Sequence, residues 1–114
     1  MTSILFECHH LYYLPNFLPI IEEFQQRDGY SLSASIPHII NDLERRHLCK
    51  AVETVGIEFI DGDNETTRQA ELRRRKFDVI IVGIPGMLEK VVSDNTVAVM
   101  VYHGIGLKES YYRD

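Results

Sequence analysis

The run Val97-Ala98-Val99-Met100-Val101 leads directly into Tyr102-His103-Gly104-Ile105-Gly106-Leu107-Lys108. An apolar run without charges is typical of a buried strand in a parallel sheet. The segment that follows it carries a histidine, two glycines and a lysine. In open α/β sheets, ligands bind just beyond the carboxyl ends of the strands. This stretch therefore predicts an α/β fold and also the edge of the sheet where its chemistry takes place.

The composition is that of one globular domain, with 114 residues, 45% of them hydrophobic and 25% charged. The net charge of −5 argues against a nucleic-acid-binding domain, which usually presents a basic face. No run approaches the roughly 20 apolar residues of a transmembrane helix, and no signal-peptide pattern precedes the first strand. Cys8 and Cys49 form no disulfide or zinc pattern, so we expect reduced thiols and a cytoplasmic protein.

Strand patterns alternate with helical patterns along the chain. The predicted strands are Ser3–Cys8, Ser31–Ile36, Ile57–Ile60, Asp78–Val82 and Val97–Val101. The predicted helices are Asn16–Arg27, with Pro19 in its first turn, Pro37–Val55, with Pro37 at its first position, Glu65–Lys76 and Pro85–Val92. This alternation predicts a doubly wound parallel sheet in a three-layer sandwich, and right-handed crossovers favour the Rossmann-like order 3-2-1-4-5. We expect residues 1–114 to form a single domain of this kind.

The fifth strand conflicts with a complete domain. In the predicted order it is an edge strand, yet it is apolar on both faces, which is the pattern of an interior strand. Natural edges are usually protected by charge, proline or a bulge. We therefore expect this strand to be under-covered in the isolated chain, either because further strands of a longer protein belong beside it or because another copy of the chain pairs with it.

Three loops are predicted to meet at the carboxyl edge, around the switch point between the first and fourth strands. They are the loop with Glu7, Cys8, His9, His10 and Tyr12, the loop Gly83-Ile84-Pro85-Gly86, and the loop from Tyr102 to Lys108. A helix that begins at the second loop would offer N–H groups to an anion, although Gly83 and Gly86 also fit an ordinary turn and cap. The adjacent His9 and His10 point in different directions and lack a completing carboxylate, so we predict cleft residues and no metal.

Among the histidines, His103 is the candidate for catalysis. An imidazole titrates near physiological pH and can accept a proton from an attacking hydroxyl. Gly104 permits close backbone approach, and Lys108 supplies a cation suited to a phosphate. Neither a P-loop nor a Gly-x-Gly-x-x-Gly motif after the first strand is present, so no nucleotide cofactor is predicted.

The basic cluster Arg73-Arg74-Arg75-Lys76 ends the third predicted helix. Positive charge near a helix C-terminus is favourable against the helix dipole, so a solvated face is one interpretation. Attraction to an anionic membrane surface is the other. His38 and His47 are predicted on the second helix as partly exposed surface groups.

The segment from Val99 to Lys108, followed by Tyr111-Tyr112 and Asp114, resembles the CDP-glycerol glycerophosphotransferase family, which makes teichoic-acid-like polymers. The family has a strand that ends in His-Gly, followed by a lysine and an aromatic-rich stretch. His103, Gly104 and Lys108 match that pattern, whereas Ile105 and Gly106 replace the threonine and proline often found there. The segment His10-Leu11-Tyr12-Tyr13-Leu14-Pro15 also resembles the start of some members.

The resemblance implies the N-terminal, acceptor-side domain of a two-domain bacterial transferase of the GT-B type. It implies that His103 is the general base for an acceptor hydroxyl that attacks the β-phosphate of CDP-glycerol, with loss of CMP. Substrate binding would fall to the rim residues: His9, His10, Tyr12, Gly83, Gly86, Gly104 and Lys108. The implied partners are CDP-glycerol and a polyol-phosphate acceptor, at the inner face of the cell membrane, and the isolated 114 residues would be inactive because the donor pocket lies elsewhere.

Two alternatives stay open on the sequence alone. One is the N-terminal half of another GT-B glycosyltransferase or of a nucleotide-sugar epimerase, which shares the fold. The other is a free-standing binding domain with flavodoxin-like or receiver-like topology, in which Asp61 or Asp63 would imitate the phosphorylated aspartate.

Overall fold

The protein forms a five-stranded parallel sheet in the order β3-β2-β1-β4-β5, which confirms the predicted Rossmann-like fold. The computed structural model describes residues 1–8, 13–83 and 91–101. The strands are β1 (Thr2–Glu7), β2 (Tyr30–Ser35), β3 (Glu58–Phe59), β4 (Val79–Val82) and β5 (Val97–Met100). The helices are α1 (Tyr13–Gln25), α2 (Asp42–Val55) and α3 (Glu65–Arg75). Within these ranges no helix is long and apolar enough to cross a membrane.

Side chains of β1 alternate between two cores because successive residues of a strand point to opposite faces. Ile4 and Phe6 join the core that α1 and α2 cover, with Phe17 and Leu48 among its members. Leu5 joins the core on the other face, which Leu72 of α3 completes. The sheet is thus the middle of three layers, as the alternation of strands and helices predicts.

The second helix begins later than predicted. Pro37 is not its first residue: α2 begins at Asp42, and the side chain of Asn41 caps it by accepting a hydrogen bond from Glu44 N at 2.8 Å. Asparagine is among the strongest N-cap residues, and a proline at the start of the pattern does not outweigh it. The displaced segment 37–40 forms a turn instead, and this turn brings His38 to the carboxyl edge of the sheet.

The first helix also departs from the prediction. It begins at Tyr13, so Pro19 lies in its second turn and not its first. Proline lacks an N–H group, and here α1 does without one hydrogen bond within its length. The other boundaries differ from the predicted ones by a few residues at most. The predicted helix Pro85–Val92 falls mostly on residues 84–90, outside the described part.

The amino ends of the two central strands are joined by side chains. Asp78, just before β4, accepts a hydrogen bond from Ser3 N at 2.9 Å through Oδ2. In return, Asp78 N donates to Ser3 Oγ at 3.0 Å. These bonds hold β1 and β4 in register across a sequence separation of 75 residues.

The fifth strand lies at an edge and is exposed, as expected for an isolated chain. Val97 is 59% exposed, Val99 39% and Met100 38%. Its pairing with β4 includes bonds from Val97 N to Asp78 O and from Val101 N to Val82 O. The opposite edge differs, because β3 has only two residues and its Glu58 is held by Arg75 at 2.9 Å. In the described part of the chain, β5 is therefore the edge without the usual protection.

Candidate functional site

Most of the predicted site residues fall outside the described ranges. These are His9, His10, Tyr12, Gly86, His103, Gly104 and Lys108. Gly83 is described and lies buried just after β4.

The strand ends that carry those loops do lie side by side. Glu7, the last residue of β1, pairs with Ser35 of β2 on one side and with Val82 of β4 on the other. Val101 N donates to Val82 O at 2.8 Å, so the end of β5 lies next to the end of β4. The chain leaves β1 toward β2 but enters β4 from β3, which makes the gap between β1 and β4 the switch point of the sheet.

A buried ion cluster lies on the α3 face of the carboxyl edge, across the ends of β1 and β2. Arg68 Nη1 donates to Glu7 Oε1 at 2.7 Å and to Ser35 Oγ at 2.9 Å. Arg68 Nε and Nη2 donate to the two carboxylate oxygens of Glu65, at 2.9 Å and 2.6 Å. One guanidinium thereby joins the ends of β1 and β2 to the first turn of α3. We call Glu7, Ser35, Glu65 and Arg68 the Arg68 cluster.

Burial sets the electrostatics of this cluster. Both Glu7 and Arg68 are fully buried, and burial raises the pKa of Glu7 to about 7, against the opposing effect of Arg68. Among the described residues, Glu7 Oε2 has no hydrogen-bond partner. Glu65 behaves differently: burial acts to raise its pKa, but hydrogen bonds from Arg68, His38 N–H and Gln69 lower it to about 2. The two carboxyls on one guanidinium therefore have well-separated pKa values.

A second set of contacts continues from the Arg68 cluster to the loops after β2 and β3. His38 N donates to Glu65 Oε1 at 2.8 Å. The His38 ring places Nε2 2.9 Å from both Asp61 Oδ1 and Gly62 O, and 3.3 Å from Arg45 Nη2. Arg45 Nη2 donates to Asp61 Oδ1 at 2.7 Å. His38 is partly exposed, as predicted, but it lies in a loop and not on the second helix.

The sequence interpretation missed the Arg68 cluster. It counted Glu7 both in the strand Ser3–Cys8 and in the loop that follows, and it treated α3 as a charged surface helix. In the structure Glu7 ends β1, and Arg68 points inward. One signal was present: Ser33 and Ser35 put small polar groups on the face of β2 that α3 covers, and both are buried. Small polar residues on a buried strand face indicate that a polar side chain packs against them.

Two arginines of the basic cluster at the end of α3 form ion pairs with acidic side chains. Arg74 pairs with Glu71 at 2.6 Å, and Arg75 pairs with Glu58 at 2.9 Å and with Glu71 at 3.1 Å. These contacts favour the solvated-face interpretation over a membrane contact. In the described part of the chain, no group of three or more His, Cys, Asp or Glu side chains converges as a metal site.

Gly62 lies against the backbone of α3, and we expect Gly62→Ala to disturb the Arg68 cluster. A Cβ at this position would lie 2.6 Å from Arg68 N and 2.9 Å from the carbonyl carbon of Thr67. The first turn of α3 would have to move, at a cost of about 1–3 kcal/mol in the free energy of unfolding. Urea unfolding measures this loss, with Asp63→Ala, an exposed neighbour, as the control. Equal stability of the two variants would contradict the close approach.

Comparisons with known proteins identify no relative of this chain. No family model, no curated protein and no solved structure matches the chain. The functional assignment therefore depends on the sequence motifs and on the geometry of the sheet.

Proposed function

We propose that this chain is the acceptor-side domain of a transferase that moves glycerol phosphate, or a related polyol phosphate, from CDP-glycerol to an acceptor hydroxyl. The observation that carries the proposal is the position of β5. Its end lies next to β4 at the switch-point edge, and the sequence that continues from it contains His103, Gly104 and Lys108. The exposed apolar edge of β5 also suits a domain that packs against more protein.

In this proposal, His103 accepts the proton of the acceptor hydroxyl as its oxygen attacks the β-phosphorus of CDP-glycerol. A new P–O bond forms, the bond to the bridging oxygen breaks, and CMP leaves. Lys108 contributes a positive charge for a phosphate of the substrate. The remaining rim residues are proposed to line the acceptor site: His9, His10, Tyr12, Gly83, Gly86 and Gly104.

The strand order argues against a flavodoxin-like or receiver-like domain. In that topology, with order 2-1-3-4-5, the first strand lies between the second and third, whereas β1 here lies between β2 and β4. Asp61, one of the two candidates for phosphorylation, also contacts Arg45 and His38. Another GT-B glycosyltransferase or a nucleotide-sugar epimerase shares the observed order, so it remains the second candidate.

We expect the chain to bind a synthetic oligo(glycerol phosphate) at the carboxyl edge of the sheet. In a titration followed by amide NMR, the resonances of Cys8, Ile36, Gly83 and Val101 should shift, because these residues follow the strand ends. Resonances at the amino edge, such as those of Asp78 and Asn95, provide the internal control. Lys108→Ala should weaken the binding, since it removes a cation proposed to contact phosphate.

The same titration with UDP-glucose separates the two candidates. Shifts at the carboxyl edge with UDP-glucose and none with the polyol phosphate would favour a sugar transferase or epimerase. Binding of the polyol phosphate at the amino edge, or no binding of it, would contradict the proposed acceptor site.

A further inference from the structure

The Arg68 cluster contains more negative than positive charge. One guanidinium faces the two carboxyl groups of Glu7 and Glu65, so full ionisation leaves a net charge of −1. The side chains of Arg68 and Glu7 are fully buried, and that of Glu65 is 21% exposed. An uncompensated charge in a closed interface is costly, and a carboxyl group in that position tends to take up a proton.

No other described cation is available to balance Glu7. The two strands beside β1 place no described charge near Glu7 on this face. Ser35 of β2 is uncharged, and Ile80 and Val82 of β4 are apolar. The adjacent Cys8 thiol has a pKa raised by burial and by Glu7, so it stays neutral.

The charged groups of the nearby loops contact Glu65 and Asp61 rather than Glu7. His38 donates its backbone N–H to Glu65, while its ring faces Asp61. Arg45 of α2 pairs with Asp61. Arg68 is thus the cation that contacts Glu7 in the described part of the chain.

We propose that Glu7 is a proton-binding site, which is protonated in the folded protein in mildly acidic solution and releases its proton as the pH rises through neutrality. Oε2 is the atom that carries this proton, because Oε1 already accepts from Arg68 and Oε2 has no described partner. Charge balance and burial both favour the same state below neutral pH: Glu65 ionised, Arg68 cationic and Glu7 neutral. The raised pKa of Glu7, about 7, agrees with this assignment.

Proton release makes the fold less stable. The pKa of Glu7 is higher in the folded state than the ordinary value of 4.5, so the folded state binds more protons between the two values. The contribution of Glu7 to the free energy of unfolding is therefore greatest below pH 4.5, and it falls as the pH rises toward about 7. The folding equilibrium constant should decrease by up to about tenfold per pH unit in that interval.

Two measurements on the 114-residue chain test the proposal, and neither depends on the transferase assignment. Carbon-13 NMR of the side-chain carboxyl groups should show Glu7 titrating near neutral pH. Urea unfolding across the same range should show the loss of stability in the original protein. Glu7→Gln keeps the oxygen that accepts from Arg68 and cannot ionise, so it should remove most of the pH dependence.

Glu58→Gln is the matched control, because Glu58 also pairs with an arginine but its side chain is 49% exposed and its pKa is lowered, chiefly by the hydrogen bond from Arg75. It should retain the pH dependence of the original protein. A Glu7 resonance that titrates at or below 4.5 would overturn the proposal, as would an unchanged pH dependence in Glu7→Gln. If Glu7→Gln does not fold, the Glu7 carboxyl resonance of the original protein decides the question, because it can be assigned by correlation with the backbone resonances of Glu7.

Discussion

Replacing His103 with alanine should lower turnover by about 10²–10⁴ in the full-length product of the gene, assayed with CDP-glycerol and a polyol-phosphate acceptor. The reason is chemical: an acceptor hydroxyl is a weak nucleophile until a base within hydrogen-bond reach takes its proton. His103 lies outside the described residues, so the prediction depends on its place in the sequence, two residues after Val101. Release of CMP, followed over time, measures the effect.

The matched control for this experiment is His47→Ala. His47 is exposed on α2, so its loss should leave turnover unchanged. Near-normal turnover of the His103 variant would remove this residue from the mechanism. Absence of transfer by the unaltered full-length protein would contradict the proposed function itself, while leaving the proton-binding proposal for Glu7 intact.

Arg68→Met should lower the free energy of unfolding by about 3–5 kcal/mol, the typical cost of removing one partner from a buried ion pair. Methionine keeps much of the length of the side chain but cannot donate to Glu7, Ser35 or Glu65. Glu7 and Glu65 would then lose their buried hydrogen bonds from Arg68, and the ionised Glu65 would lose its cation. Urea unfolding at constant pH measures the change.

Arg74→Met provides the comparison within the same helix. Arg74 is exposed and pairs only with Glu71 among the described acidic groups, so its replacement should have a much smaller effect, as exposed ion pairs contribute little. A loss for Arg68→Met no greater than that of an ordinary surface substitution, about 0.5 kcal/mol, would show that the cluster does not hold the strand ends together.

The fold could be predicted because its signals are local. Each strand and helix has its own pattern, and the right-handed rule for crossovers leaves few orders for a sheet of this kind. The same patterns located the exposed apolar edge at β5. The start of α2 was mispredicted because two helix-start signals, Pro37 and Asn41, lie four residues apart, and the capping hydrogen bond of Asn41 decides between them.

The Arg68 cluster could not be predicted in the same way, because its partners are distant in sequence. Glu7 and Arg68 are 61 residues apart, and α3 has little apolar periodicity to indicate which face turns inward. Leu72 is its buried apolar residue, and Arg68 lies one turn before it on the same face. A charged residue at that position is recognised as buried only when the polar face of β2 is considered with it.

The Ser3–Asp78 contact also has a consequence for synthesis of the protein. Of the five strands, the central strand β1 is made first, and its neighbour β4 follows about 75 residues later. At roughly 5–20 residues per second, that delay is about 4–15 s. During this time β1 can pair with β2, but the backbone N–H and C=O groups along its other edge have no partner strand. Until β4 is made, β1 therefore has an open strand edge, a feature through which incomplete chains can pair with one another.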